Sequence, residues 1–230
     1  QLLEDEILGA VETSSSAALA PDQRGFAAGG VDAFFIGSEL VEVTRARSSA
    51  SNFPGVNQLV TLAADVKAIF TAAGQGSTKI SYAANWDEYH SHRPTDGTND
   101  VYFNMDPLWS SSNVDFIGID FYAPISDWRD GRDHLDYDAV NGPTKIYDQN
   151  YLKSQIEGGE FFDYYYLNQA NRDAQVRTPI TDATYGKPWV FRNKDIRGWW
   201  SNAHYNRPAG VQSASPTAYT ASTKPIWFSE

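Results

Sequence analysis

Short apolar runs that break off on a polar or charged residue recur along the chain, with amphipathic or polar stretches between them. The first is Phe34-Phe35-Ile36-Gly37-Ser38-Glu39-Leu40. It is too short for a helix, and its apolar character is continuous rather than alternating, as expected of a strand buried on both faces of a parallel sheet. Leu59, Leu62, Ala63, Val66, Ile69, Phe70 and Ala73 then fall at helical spacing, and Gly74 and Gly76 end that helix. A second strand follows over Thr78-Lys79-Ile80-Ser81-Tyr82-Ala83-Ala84-Asn85-Trp86. Strand, helix and strand within about fifty residues is the span of a parallel crossover unit. Val114-Asp115-Phe116-Ile117-Gly118-Ile119-Asp120-Phe121-Tyr122 predicts a third strand, ended by Pro124. Lys224-Pro225-Ile226-Trp227-Phe228-Ser229-Glu230 predicts a fourth, with Trp227 mid-strand in the core.

Between these runs the pattern is weaker. Residues 1–11 place Leu2, Leu3, Ile7 and Leu8 on one side of a short helix, and the Ser-rich stretch after them reads as a loop. Residues 41–55 and 87–112 read as loops, the second broken by Val101-Tyr102-Phe103 and by a helical turn at Leu108-Trp109. Residues 126–150 form a long loop in which Asp127, Asp130, Asp133 and Asp136 recur every third residue. That spacing lacks the alternating ligands of a calcium loop and predicts a solvated acidic surface. Residues 151–177 are expected to be mostly helical with a break at Gly158-Gly159, and Trp189-Val190-Phe191-Arg192 to be a strand. No fixed-period repeat is present.

Composition narrows the function classes. The 230 residues, 41% hydrophobic and 20% charged, suit one globular domain. A net charge of −11 lacks the basic footprint of a nucleic-acid binder. Without cysteine there is no disulfide or thiolate metal site. No run reaches the length of a membrane span, so no membrane insertion is expected. Gly29-Gly30 lacks the Lys-Ser/Thr of a phosphate loop. Aromatic content is 14%, with seven Trp and thirteen Tyr, which serves either core packing or a cleft where sugar rings stack.

Two of the strands end in Ser-Glu, at Glu39 and Glu230. In α/β folds the carboxyl ends of the strands are where chemistry is placed. Two carboxylates facing one cleft are what a retaining glycosidase needs, one as acid/base and one as nucleophile. The alternative for each is an ordinary strand-end carboxylate paired with Arg or Lys. Asn85 and Trp86 end the second strand, where they would bind a sugar hydroxyl and stack on a ring. Asp120 and Tyr122 end the third, where they would bind sugar or orient the nucleophile. The plain alternatives are a core-capping Trp and a hydrogen-bonded strand terminus. His90 and His92, with Asp87 and Glu88 nearby, offer a weak metal reading without a defined third ligand, and neither a metal nor a cofactor is expected.

Taken in order, Phe35-Ile36-Gly37-Ser38-Glu39-Leu40, Ile80-Ser81-Tyr82-Ala83-Ala84-Asn85-Trp86, Val114 to Tyr122 and Lys224 to Glu230 resemble the TIM-barrel-like glycoside hydrolase domain of gene transfer agent and phage tail proteins. Lys187-Pro188-Trp189-Val190-Phe191-Arg192 and the Trp199-Trp200 loop join the resemblance, which covers residues 29–230 and leaves 1–28 as an unassigned N-terminal segment. It implies a (β/α)8 barrel of which strands four to seven are recognisable. Ile80, Ile117 and Ile226 would lie on strands five, six and seven. Only about thirty residues precede the Phe34 run, too few for three βα units, so an incomplete barrel is expected. The resemblance further implies retaining hydrolysis of a cell-envelope polysaccharide such as peptidoglycan, in a particle tail with other tail proteins as partners. Glu39 would be the acid/base and Glu230 the nucleophile. Ser38 stands where many such enzymes carry an Asn that binds the sugar 2-OH. The rival expectation is a catalytically inactive glycan-binding or structural tail module.

Overall fold

The computed structural model describes residues 30–230; the expected helix at residues 1–11 and the Ser-rich loop after it lie outside them. In chain order the elements are β1 (Ala33–Ser38), α1 (Val41–Arg45), α2 (Pro54–Ala72), β2 (Lys79–Asn85), α3 (Asp106–Ser110), β3 (Ile117–Asp120), α4 (Gln149–Ser154), β4 (Tyr164–Tyr165), α5 (Gln169–Asp173), β5 (Thr178–Pro179), α6 (Ile196–Ser201) and β6 (Ile226–Phe228). They fall into two compact units. The first runs to Asp120 and resumes over Ala203–Glu230; the second is Phe121–Asn202.

In the first unit, β1, β2, β3 and β6 form a parallel sheet in that order. All four predicted strands are present, and so is the parallel crossover. The long helix α2 has Pro near its N-terminus and buries Val56, Leu59, Ala63, Val66 and Phe70, the stripe its spacing predicts. Each large side chain of that stripe contributes about 1.5–3 kcal/mol by leaving water. Past Ala73 the chain turns through Gly74 at φ 77°, and the Gln75 N–H closes on the Phe70 carbonyl at 2.8 Å.

Burial differs across the sheet. Inner strands β2 and β3 are buried almost throughout. β1 and β6 are the outer strands and stay partly open: Phe35 is 38%, Trp227 42% and Phe228 61% exposed. The expectations of a doubly buried first strand and a core Trp227 are therefore corrected. An outer strand has a neighbour on one side only. Among the described residues the sheet does not close into a barrel.

The sheet is nevertheless curved. Ser38 and Asp120 lie on strands two apart, about 9–10 Å on a flat sheet, yet Ser38 Oγ is 3.1 Å from Asp120 Oδ2. Side chains stand roughly perpendicular to a sheet. Short ones two strands apart meet only on the concave side of a bend. Phe35 of β1 likewise reaches across β2 to Phe116, ring centroids 5.5 Å apart, and Phe116 stacks on Trp227 at 3.9 Å. Gly118 makes room for this crossing. A Cβ there would lie 2.6 Å from the Tyr82 carbonyl oxygen and 2.8 Å from the Phe35 ring.

The return segment that leads to β6 is docked on α3. His204 is fully buried, stacked between Phe103 at 4.3 Å and Tyr219 at 4.1 Å. Its Nδ1 lies 2.9 and 3.0 Å from the Asp106 carboxylate oxygens, and the Thr217 hydroxyl donates to the same carboxylate. Val101 and Arg207 exchange backbone hydrogen bonds alongside.

The second unit departs most from expectation. Residues 151–177 are not mostly helical: short α4 and α5 are separated by β4, which pairs antiparallel with β5. Residues Pro188–Phe191 form a turn of 3₁₀ helix, not a strand, with Pro at its start. Of the four aspartates, Asp130 and Asp133 are exposed as expected, but Asp127 and Asp136 are not part of a solvated surface. Asp127 is 7% exposed and accepts hydrogen bonds from Arg129, Tyr164, Tyr166, Gln175 and Arg177. Asp136 pairs with Arg177 and with the Tyr151 hydroxyl. Period-three spacing in a loop said nothing about cationic partners forty to fifty residues away.

Candidate active site

Parallel strands deliver their polar ends to one edge of the sheet. Ser38 closes β1 and Glu39 follows it; Asn85 closes β2 and Trp86 follows; Asp120 closes β3; Ser229 and Glu230 follow β6. Five of the six residues singled out in the sequence, Glu39, Asn85, Trp86, Asp120 and Glu230, thus belong to the ends of strands in one sheet. The sixth, Tyr122, is 59% exposed and belongs to the second unit.

Glu39 sits on a sharp elbow between β1 and α1. Its φ is 50°, in the left-handed region, where a non-glycine residue costs about 1–3 kcal/mol. Its N–H donates to the Ala83 carbonyl at 2.9 Å, extending the β1–β2 ladder by one bond. The exposed carboxylate accepts from Asn85 Nδ2 at 2.7 Å. Asn85 Oδ1 in turn accepts from the Asp87 N–H at 3.1 Å. The amide is thereby oriented with its NH₂ toward Glu39. Glu39 leans over the end of β2, the direction in which β3 and β6 lie.

Asp120 is 1% exposed. One carboxylate oxygen accepts from Ser38; the other, Oδ1, is buried with no hydrogen-bond partner, and so is Ser229 Oγ. These two orphans are lateral neighbours. The β3–β6 register pairs Ile119 with Phe228, and the Ser229 N–H continues the ladder by donating to the Ile119 carbonyl at 3.0 Å. Orphaned buried polar atoms are rare enough to need a reason. An acceptor beside a hydroxyl, at the carboxyl end of a concave sheet, matches the hydroxyl groups of a sugar.

Sequence reasoning named Glu88 only beside the histidines of the metal reading and did not single out Tyr82. Glu88 is 1% exposed and accepts from Thr44 Oγ1 at 2.6 Å, Tyr82 Oη at 2.9 Å and the Asn85 N–H at 3.1 Å. Burial raises its pKa, and those hydrogen bonds with the nearby Arg45 only partly offset the rise. The Tyr82 hydroxyl is held protonated by burial and by the Glu88 charge. A tyrosine in the middle of a buried strand was a usable signal, because its hydroxyl needs a partner.

The histidines do not assemble a metal centre. His90 is fully buried, its Nδ1 3.0 Å from Ser91 Oγ and its ring against Tyr89 and Phe103. His92 packs its ring on Phe53 and pairs its backbone with Tyr102. Burial lowers the His92 pKa, helped by Arg45 and Arg47. Among the described residues no group of three or more His, Asp or Glu is placed to hold an ion.

A parallel, curved sheet with its polar groups gathered at the strand ends is the geometry of an α/β barrel segment. The sequence profile of the GTA TIM-barrel-like domain matches residues 19–230. The chain belongs to the gene transfer agent TIM-barrel-like domain family. No curated protein matches it. β1, β2, β3 and β6 are neighbours in one parallel sheet, and Glu39 and Glu230 follow the outer two. No helix among the described residues is long and apolar enough to cross a membrane.

Proposed function

We propose that this gene transfer agent TIM-barrel-like domain is a retaining glycoside hydrolase that cuts a cell-envelope polysaccharide, with peptidoglycan as the substrate class, and that it works at the tail of its particle among other tail proteins. The observation that carries the reading is the pair of glutamates that follow the outer strands of one curved parallel sheet. Three strand steps separate them, about 14 Å if the sheet were flat. Curvature and the lean of Glu39 over β2 both shorten that path toward the 5–5.5 Å a retaining pair needs.

In this reading the Glu39 carboxyl protonates the leaving glycosidic oxygen. The Glu230 carboxylate attacks the anomeric carbon and forms a covalent glycosyl-enzyme. Glu39, now ionised, takes a proton from the water that releases the sugar. Asn85 orients the Glu39 carboxyl. Trp86, half-buried beside it, offers a stacking face, and Asp120 with Ser229 holds sugar hydroxyls. The chemistry needs no cofactor.

The test is release of soluble fragments from purified peptidoglycan, with the anomer of the first product read by proton NMR. Retention of configuration and loss of cleavage in Glu39→Gln and in Glu230→Gln are expected. Cleavage that persists in Glu39→Gln would sink the assignment. One observation favours the second reading, a glycan-binding or structural tail module: the sheet has four strands, and its outer ones expose Phe35, Trp227 and Phe228. Binding to peptidoglycan that neither glutamate variant weakens, without turnover, would support that reading.

A further inference from the structure

Glu39 is held from behind. The side chains that fix its elbow lie on the face of β2 opposite Ser38, Asn85 and Asp120, because successive strand residues alternate faces. Tyr82 is fully buried there, its ring 6.5 Å from that of Trp109 on α3. Its hydroxyl accepts the Leu40 N–H at 2.5 Å and donates to Glu88 Oε1 at 2.9 Å. Thr44 of α1 donates to the same oxygen at 2.6 Å, and its own carbonyl accepts from Asn104 Nδ2 at 3.0 Å. The other Glu88 oxygen accepts the Asn85 N–H, and Glu88 N–H donates back to the Asn85 carbonyl at 2.8 Å.

One buried carboxylate therefore holds Glu39 at two points. Through Tyr82 it secures the backbone just after the strained residue. Through Asn85 it sets the amide that grips the Glu39 carboxyl. We infer that Glu88 and Tyr82 are positioning residues for Glu39, fixing the pose of its carboxyl. This rests on Glu39 being the acid/base. Neither residue touches substrate. The need for such a clamp is physical, since a left-handed glutamate relaxes unless its surroundings over-determine it. Preorganised geometry is worth a large factor in rate, and displacement by about 1 Å costs about a hundredfold.

Glu88 is a buried carboxylate bonded to both of the groups that fix Glu39.

The experiment measures kcat and KM of the 230-residue chain on soluble peptidoglycan chains. Wild type is compared with Tyr82→Phe, Glu88→Gln, Glu88→Asp and Glu39→Gln, with folding checked by circular dichroism. Tyr82→Phe is expected to lower kcat about ten- to hundredfold with KM unchanged. Glu88→Gln is expected to lower kcat in the same way, and Glu88→Asp, which keeps the carboxylate, to recover part of the loss, a pattern that a merely structural role would not give. Should Glu88→Gln not fold, Tyr82→Phe and Thr44→Val carry the test through kcat against KM. If Glu39→Gln abolishes cleavage while the folded variants keep wild-type kcat, the inference is overturned and the hydrolase reading stands. If wild type does not cleave, or Glu39→Gln still does, the hydrolase reading fails and the positioning role with it.

Discussion

Asn85 shows how little a residue's type says without its neighbours. Its position after a buried strand pointed to a sugar-binding amide, and its NH₂ instead reaches a protein carboxylate, Glu39, at 2.7 Å. Ser38 is also engaged within the protein, on Asp120. Asn85→Ala is expected to lower kcat on peptidoglycan about tenfold with little change in stability, since the Glu39 carboxylate it frees is exposed and water replaces the bond. Paired measurements of kcat and of the urea midpoint check this. An unchanged kcat would mean that the amide serves the fold alone. The glutamates and Asn85 were legible because they terminate apolar runs. Glu88 was not, because its three partners come from Thr44, Tyr82 and its own turn, and no linear pattern brings those together.

Among the elements, those with strong periodicity came through: α2 and all four strands of the parallel sheet. The failures lie where tertiary partners overrode a weak pattern. The segment 151–177 carries helix-compatible residues, but Asp148 and Asn168 each cap only a short helix. Between those helices the chain extends so that the Tyr164 and Tyr166 hydroxyls reach Asp127. β6 depends on the segment before it. His204, stacked between two rings and paired with buried Asp106, docks that segment. His204→Ala leaves the buried Asp106 carboxylate with only the Thr217 hydroxyl and removes the stack. It is expected to cost about 3–5 kcal/mol of stability, read as a lowered midpoint of chemical unfolding, and to lower hydrogen-exchange protection of the Ile226–Phe228 amides. Wild-type protection there would mean that β6 pairing alone holds the strand.

At the scale of the whole molecule the two units are built on different principles. The first has an aliphatic and aromatic core under a parallel sheet. The second gathers buried charge: Asp127 with Arg129 and Arg177, and Glu160 with Arg172. Burial by itself would raise the Asp127 pKa, but hydrogen bonds from Tyr166, Arg177, Tyr164 and Gln175 outweigh it and bring it below the ordinary 3.8. A carboxyl whose folded pKa is depressed contributes stability that is present above the unfolded value and lost as pH falls through the folded one. The second unit is therefore expected to loosen as pH drops below about 4, with Asp127→Asn weakening that dependence. Amide exchange of Tyr164–Tyr165 against Lys79–Asn85 across pH 3–6 reads this out. Equal response in the two units would contradict it. The composition, with its 29 acidic residues against 18 basic ones, argued against a nucleic-acid partner. It concealed how many of these charges are paired inside.

The left-handed backbone at Glu39 has a consequence for what this position can become. Glycine adopts that conformation without penalty, and Asn or Asp tolerates it better than Glu does. Random substitution under selection for folding alone would drift away from glutamate toward those residues, each stabilising the elbow. Under the proposed hydrolase function, a long carboxylate at this φ is thus a place where durability and activity pull in opposite directions, as they do at strained sites whose geometry serves chemistry. In variants of this chain, a more heat-resistant protein with glycine at position 39 would be the signature of a domain released from its reaction and kept for its shape.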